Sequence, residues 1–173
     1  MKYFVFSEQM ENNPIPDIKN WFGKITSKDN SEHFDSERGW ILLEAKLKAE
    51  SIYMDILTFP CILVSEKVMK VIWMYRRRTN ATKVILLDSD SQNSMLYYLP
   101  ELPRHEYLCK ESTFDKTKTK LLEGALDNNK IQDIPLFILG EVSKATLVIR
   151  EDVVESLIRR NVRGIKLQEL SIM

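Results

Sequence analysis

Two stretches of this chain, 85 residues apart, share one local pattern, and any fold must satisfy both. Ile62-Leu63-Val64 is a compact apolar run; Ser65 follows, a natural N-cap, and then Val68, Val71, Ile72 and Tyr75 recur at helical spacing. Leu147-Val148-Ile149 precedes Arg150-Glu151-Asp152, after which Val153, Val154, Leu157 and Ile158 mark a second apolar helical face. Val64-Ser65-Glu66 superposes on Ile149-Arg150-Glu151, and the next apolar positions keep step: Val68 with Val153, Met69 with Val154, Ile72 with Leu157. Each helix then returns to a strand, the first at Val84 to Leu87 and the second, past Gly164, at Ile165-Lys166-Leu167. Glu66 in the first turn, Arg76-Arg77-Arg78 around the last turn, and Arg159-Arg160 in the last turn of the second helix complement the helix dipoles. The pattern predicts helices over 66–77 and 151–161, within strand-helix-strand units at 60–88 and 145–170. Two copies are too few for a solenoid, and duplication or convergence on one stable local unit accounts for them.

The rest of the chain reads mostly as strands and turns. Residues 2–6 form an opening strand, followed by a Pro-bearing loop from Glu11 to Asp17. Ser27 to Arg38 is the most acidic local stretch, with only Phe34 as an apolar anchor, and is expected to be a mobile or partner-contacting loop. Gly39 to Leu47 and Ser51 to Phe59 are apolar runs with imperfect alternation that fit a strand or a short helix and are read as strands, and Met95 to Leu99, Tyr107 to Cys109 and Leu136 to Leu139 are expected strands. Gly140 ends the last of these, Pro100 and Pro103 point to a sheet edge, and Lys116 to Lys120 reads as a solvated loop. The expected architecture is one α+β domain over 1–173, with a mostly antiparallel or mixed sheet carrying the two helices.

Composition narrows the function by exclusion. With 44% hydrophobic and 29% charged residues the chain has globular rather than disordered character. Twenty-five basic residues balance twenty-five acidic ones, so no overall field draws it to nucleic acid or an anionic membrane. Residues 1–60 carry seven Lys or Arg against ten Asp or Glu, a net of −3, and the remainder is +3. No apolar stretch reaches the roughly 20 residues a spanning helix needs. The N-terminus reads as a strand rather than a leader, and the two cysteines, Cys61 and Cys109, fit a reducing cytoplasm.

Five glycines, at 23, 39, 124, 140 and 164, cannot write a dinucleotide-binding or phosphate-cradling loop, and the common hydrolase, metalloprotease and C-x-x-C signatures are missing. His33, Cys61, His105 and Cys109 contain the ligand types of a zinc site. The H-x3-C spacing of His105 and Cys109 serves on a helix, however, whereas Pro103 and the apolar run at Tyr107 predict a strand that splays it. Two unrelated histidines and two buried thiols are the better account. Asp88-Ser89-Asp90 is similar to the paired carboxylates that hold a divalent cation in some glycosyltransferases, but hairpin turn chemistry needs the same residues. Arg76, Arg77 and Arg78, with Lys83, Trp73 and Tyr75 nearby, could form a phosphate patch beside an aromatic platform; a solvated helix end explains them without a ligand. No catalytic residue, cofactor or metal is assigned.

The string Asp55 to Val68, with Val64-Ser65-Glu66-Lys67 at its helix start, resembles the central segment of an immunity-protein family from bacterial polymorphic toxin systems, long catalogued as a domain of unknown function. Leu136-Phe137-Ile138-Leu139-Gly140, Leu147-Val148-Ile149, the helix and Gly164-Ile165-Lys166-Leu167 are similar to that family's closing order. The likeness covers about half the chain. It implies a non-catalytic partner that binds a cognate toxin domain and occludes it. Asp29, Glu32, Asp35 and Glu37 are the candidate contacts if that toxin has a basic cleft. An enzyme of unfamiliar type, which should show a deep pocket with converging polar groups, and a nucleic-acid-binding or regulatory module using Arg76, Arg77 and Arg78 stand as alternatives.

Overall fold

The structure, a computed structural model, describes residues 1–11, 15–31, 39–49, 54–131 and 133–173. Along the chain the strands are β1 (Tyr3–Glu8), β2 (Asp17–Ile18), β3 (Trp40–Lys46), β4 (Ile56–Leu57), β5 (Leu63–Val64), β6 (Ala81–Asp88), β7 (Asn93–Pro100), β8 (Arg104–His105), β9 (Thr113–Phe114), β10 (Leu121–Glu123), β11 (Ala125–Leu126), β12 (Leu136–Leu139), β13 (Leu147–Arg150) and β14 (Ile165–Ile172). Helix α1 (Glu66–Tyr75) follows β5 and helix α2 (Glu151–Arg159) follows β13; a 3₁₀ turn, Ser27–Asn30, follows β2. The fold is α+β. Among the described residues the strands make two six-stranded sheets, ordered β2-β3-β6-β7-β5-β4 and β11-β14-β1-β13-β12-β8, and the ribbon β10-β9.

The two sheets are copies of one plan. In the first, β5 and β6 each pair antiparallel with β7, so they run parallel to each other with β7 between them. In the second, β13 and β14 each pair antiparallel with β1 and run parallel with β1 between them. The neighbours agree as well: β4 is antiparallel to β5 as β12 is to β13, and β3 is parallel to β6 as β11 is to β14. Backbone bonds repeat too, with the Ser65 amide donating to the Asp55 carbonyl at 2.9 Å and the Arg150 amide to the Pro135 carbonyl at 2.8 Å. The N-terminal strand thus does in the second half what β7 does in the first. Because Val64 faces Tyr98 and Ile149 faces Phe4, the equivalences follow: Leu96 matches Lys2, Tyr98 matches Phe4 and Leu102 matches Glu8.

Both helices face a common core. Val68, Met69, Val71 and Ile72 of α1 meet Val153, Val154 and Leu157 of α2, together with Phe6, Ile56, Leu136, Leu147 and Ile149 from the two sheets. Burying an aliphatic side chain of this size contributes about 1.5–3 kcal/mol, so the four from α1 are together worth about 6–12 kcal/mol, on the order of a whole domain's net stability. The far face of each sheet has its own cover: Ile18 and Ile25 lie against Ile41, Leu43, Val84 and Leu86, and Tyr107, Leu121 and Leu126 lie against Phe137 and Val148. Between the helices, the Tyr75 hydroxyl donates to the Asp152 carbonyl at 2.7 Å and lies 2.8 Å from Ser156 Oγ.

The expected helices and the Ser65 cap are present, Ser65 Oγ accepting from the Val68 amide. The differences are local. Helix α1 ends at Tyr75, so Arg76 is its C-cap and Arg77 and Arg78 lie in the turn beyond. Of the expected strand at Ser51 to Phe59, residues 51–53 lie outside the described residues and only Ile56–Leu57 pairs. Tyr107 to Cys109 is not a strand: Leu108 makes one isolated bridge, to Leu126, while the edge position goes to β8 just after Pro103. Pro100 sits inside its sheet, at the end of β7 opposite Ala81. Ile158 does not join the apolar face of α2; it is 60% exposed, whereas Leu157 is in the core. Leu157→Ala should therefore cost about 2–4 kcal/mol in denaturant unfolding and Ile158→Ala within about 0.5 kcal/mol. Equal costs would mean that α2 presents another face to the core.

Candidate protein-docking surface

The acidic stretch is only partly on view. Asp29 is not a surface contact: it is 4% exposed, and its Oδ2 accepts the Thr26 amide at 2.7 Å, closing a capping box on the 3₁₀ turn. Glu32, Asp35 and Glu37 lie outside the described residues, as do Phe34 and His33. The turn that Asp29 holds places the fully buried Asn30. Its Nδ2 donates to the carbonyls of Ile62 and Pro100 at 3.0 Å each, its Oδ1 accepts the Ile62 amide at 2.8 Å, and its own carbonyl accepts the Leu102 amide at 2.8 Å. Asn30 and Ser31 therefore fill the edge of the first sheet beyond the end of β7.

Trp73, Asp88, Cys61 and His105, also singled out from the sequence, have structural surroundings that account for them. Trp73 Nε1 donates to the Thr79 carbonyl at 2.9 Å and its ring meets Tyr98 edge-on, so it packs into the helix–sheet contact beside the arginines. Asp88 accepts the amides of Leu47, Asp90 and Ser91, which hold its carboxyl below the usual carboxylate range, the Leu47 bond contributing most. That is turn chemistry. Cys61 is fully buried and burial pushes its thiol up, while His105 stacks on Tyr107 at 4.8 Å. Among the described residues no three His, Cys, Asp or Glu side chains converge as metal ligands.

What stands open is a sheet face. Strand β3 alternates strictly: Ile41, Leu43 and Ala45 point to the covered side, and Trp40, Leu42, Glu44 and Lys46 to the other. In register, Leu42 lies beside Ile85 and Ile85 beside Leu96, while Trp40 lies beside Lys83 and Lys83 beside Tyr98. Helix α1 packs on β5 and β7 at one side of this face. Trp40 is 62% exposed, Leu42 54% and Leu96 42%, with Lys83 Nζ 4.7 Å from the Trp40 ring centroid. The second half differs at three of the matching positions, with Lys2 for Leu96, Glu169 for Lys83 and Ser171 for Ile85, and Lys2 and Glu169 form an exposed ion pair at 2.9 Å; the counterpart of Leu42 is the buried Ala125. The same framework thus carries an ion pair at the edge of this face in one half and an exposed apolar row in the other. The signal was in the sequence, since Trp40-Ile41-Leu42-Leu43 is apolar on both strand faces where a half-solvated strand alternates.

A cavity of about 680 Å³ opens elsewhere, along residues 5–11 beyond the end of β13, with Thr58, Asp115, Lys120, Lys144 and Lys166 on its walls. No histidine or cysteine lines it among the described residues. Lys144 Nζ donates to Thr58 Oγ1 at 3.2 Å. Asp115 accepts the Thr119 hydroxyl and the amides of Thr119 and Lys120, and these bonds, Thr119's above all, bring its carboxyl down to about 2. A carboxyl lowered in this way contributes its stabilisation fully above the ordinary carboxylate value and loses it as pH falls toward about 2. A carbon-detected NMR titration should place the Asp115 midpoint near about 2; a midpoint near the unperturbed value of about 3.9 would show that the loop bonds do not form in solution.

No protein-family model matches this chain, and no curated protein sequence matches it.

Proposed function

We propose that this chain is a non-catalytic immunity protein that binds a cognate bacterial toxin domain and blocks it by occlusion. The carrying observation is the apolar sheet face of Trp40, Leu42 and Leu96, exposed to solvent around the half-buried Ile85, where the other half has Lys2 in place of Leu96 and Ser171 in place of Ile85. An apolar patch on a rigid sheet, with an aromatic anchor and charges at its rim, is the usual make-up of a protein-docking site. The likeness of Asp55 to Val68 and of the closing strands to the immunity-protein family supports the choice of a toxin domain as the occupant. The partner's apolar side chains would lie across the Leu42–Ile85–Leu96 row, with Trp40 as the central anchor. Glu44, Lys46 and Lys83 would set orientation at the rim. Occlusion needs no proton transfer, only a preformed surface large enough to keep substrate out. Glu32, Asp35 and Glu37, which precede Trp40 in sequence, stay as the acidic contacts for a toxin with a basic cleft; Asp29 leaves that set because its carboxylate closes the cap.

The test is co-expression with the toxin domain encoded beside it: cells survive and the two proteins co-purify. Leu42→Glu should then weaken the complex by about 30-fold or more, as loss of a central anchor does, with little change in unfolding temperature because the side chain is already exposed. Phe22→Ser, a change at an exposed residue whose ring meets that of Trp21, itself packed against the covered side of the sheet, should leave affinity unchanged. Failure to rescue or to form a complex would overturn the immunity reading. A complex that tolerates Leu42→Glu would move the interface elsewhere.

A further inference from the structure

We infer that the cavity beside β1 is a second binding site, a groove that takes an extended peptide segment of a partner protein with a basic side chain directed at Glu8. The internal duplication carries the inference. In the first half, the chain continues from the end of β7 at Pro100 to Leu102, and the edge there is filled by the chain's own Asn30–Ser31 segment: the Leu102 amide donates to the Asn30 carbonyl and Ser31 bridges parallel to Leu102. In the second half, the ladder of β1 with β13 ends at Phe6 and Leu147, while β1 continues to Glu8 along β14. Glu8 is the counterpart of Leu102. Its amide points to the same side, away from β14, since successive amides alternate along a strand and the next one goes to β14: the Gln9 amide donates to the Gly164 carbonyl at 2.9 Å. Where the first half places its own segment, the second half has the cavity of about 680 Å³, lined by Ser7, Glu8, Gln9 and Met10.

Glu8 itself asks for a partner. It is 9% exposed and lines the cavity, and its Oε2 is buried with no hydrogen-bond partner among the described residues. A buried carboxylate oxygen left unpaired is costly, and the leucine at the equivalent position shows that an apolar residue fits this framework. A guanidinium or ammonium group would satisfy it. Apart from Glu8 the walls carry Lys120, Lys144 and Lys166 against Glu11 and Asp115, a small positive excess that tips the preference from a purely cationic segment to one whose basic residue is flanked by acidic ones. The main chain of that segment would pair with the β1 edge as Asn30–Ser31 pairs with Leu102, the strand-addition mode of peptide recognition. The site is separate from the Trp40 face and does not depend on the partner being a toxin.

The experiment is selection of a displayed library of random eight-residue peptides against the whole protein. The selected peptides should share a basic residue between acidic ones and shift the Glu8 amide signal in NMR, and Glu8→Gln should weaken them by about tenfold or more, the value of a hydrogen bond to a charged group. Glu8→Leu should abolish binding while raising the unfolding temperature, which separates loss of the site from loss of the fold. Leu42→Glu should leave these peptides bound. Enrichment of no peptide, peptides without a basic residue, or binding that persists in Glu8→Leu would each overturn the inference.

Discussion

Neither half of this protein can bury its helix alone, and that shared need organises everything else. The apolar face of α1 is covered by α2 and by strands of both sheets, and the reverse holds for α2. Polar bonds lock the same junction: the Asp55 amide donates to the Arg163 carbonyl at 3.1 Å, and Asp55 Oδ2 accepts the Arg163 amide at 2.7 Å, joining the start of β4 to the turn before β14. The central strand of the second sheet is the N-terminal β1, held between β13 and β14 from the far end of the chain. The second sheet therefore lacks its middle until the two ends of the chain meet. Both surfaces singled out above hang on this frame, one on the far strands of the first sheet and one at the open end of β1.

Duplication also supplies an internal control that a single sequence otherwise lacks. Core positions keep their character across the halves, as with Val68 and Val153, Ile72 and Leu157, and Tyr98 and Phe4. The positions that part company cluster in two places. On the outward face, Leu96, Lys83 and Ile85 stand against Lys2, Glu169 and Ser171. At the strand edge, Leu102 stands against Glu8. Since the frame tolerates both chemistries at each place, packing does not dictate the choice. A solvated ion pair is the safe solution for an open sheet face, and a buried leucine is the safe one for a strand end. Each half has taken the safe solution at one place and departed from it at the other.

The parts of this fold legible in the sequence were the local ones. A capping serine, an acidic first turn and apolar residues at helical spacing marked α1 because those signals act within a few residues, and the 85-residue offset followed from reading them twice. The pairing of β1 with β13 and β14 was not legible, since alternation along Tyr3–Glu8 says which side chains go in and nothing about which strands lie beside them. Tyr107 to Cys109 misled because the burial of Tyr107 and Leu108 comes from packing in the cluster with Leu121 and Leu126 of β10 and β11 rather than from a ladder. Asp29 looked like a surface charge because it lies among polar residues, yet capping needs just such a residue three places after Thr26. The Trp40 face shows in the sequence only as apolar residues at both parities of Trp40–Leu43, a pattern shared with a strand buried on both faces.

The covered and uncovered places also bear on how a neutral chain could bind tightly. With no net charge, long-range steering is weak, and affinity must come from desolvating apolar area and from satisfying groups already buried in the free protein. Both are available without reorganising the frame, because Leu42, Ile85 and Leu96 are held in register by paired strands and Glu8 by its ladder to β14. Their cost falls on the unbound protein, as exposed apolar surface in one half and an unpaired carboxylate oxygen in the other. A partner that removes either cost recovers it as binding free energy while losing little conformational entropy, and that is the advantage of setting such groups on strands rather than loops.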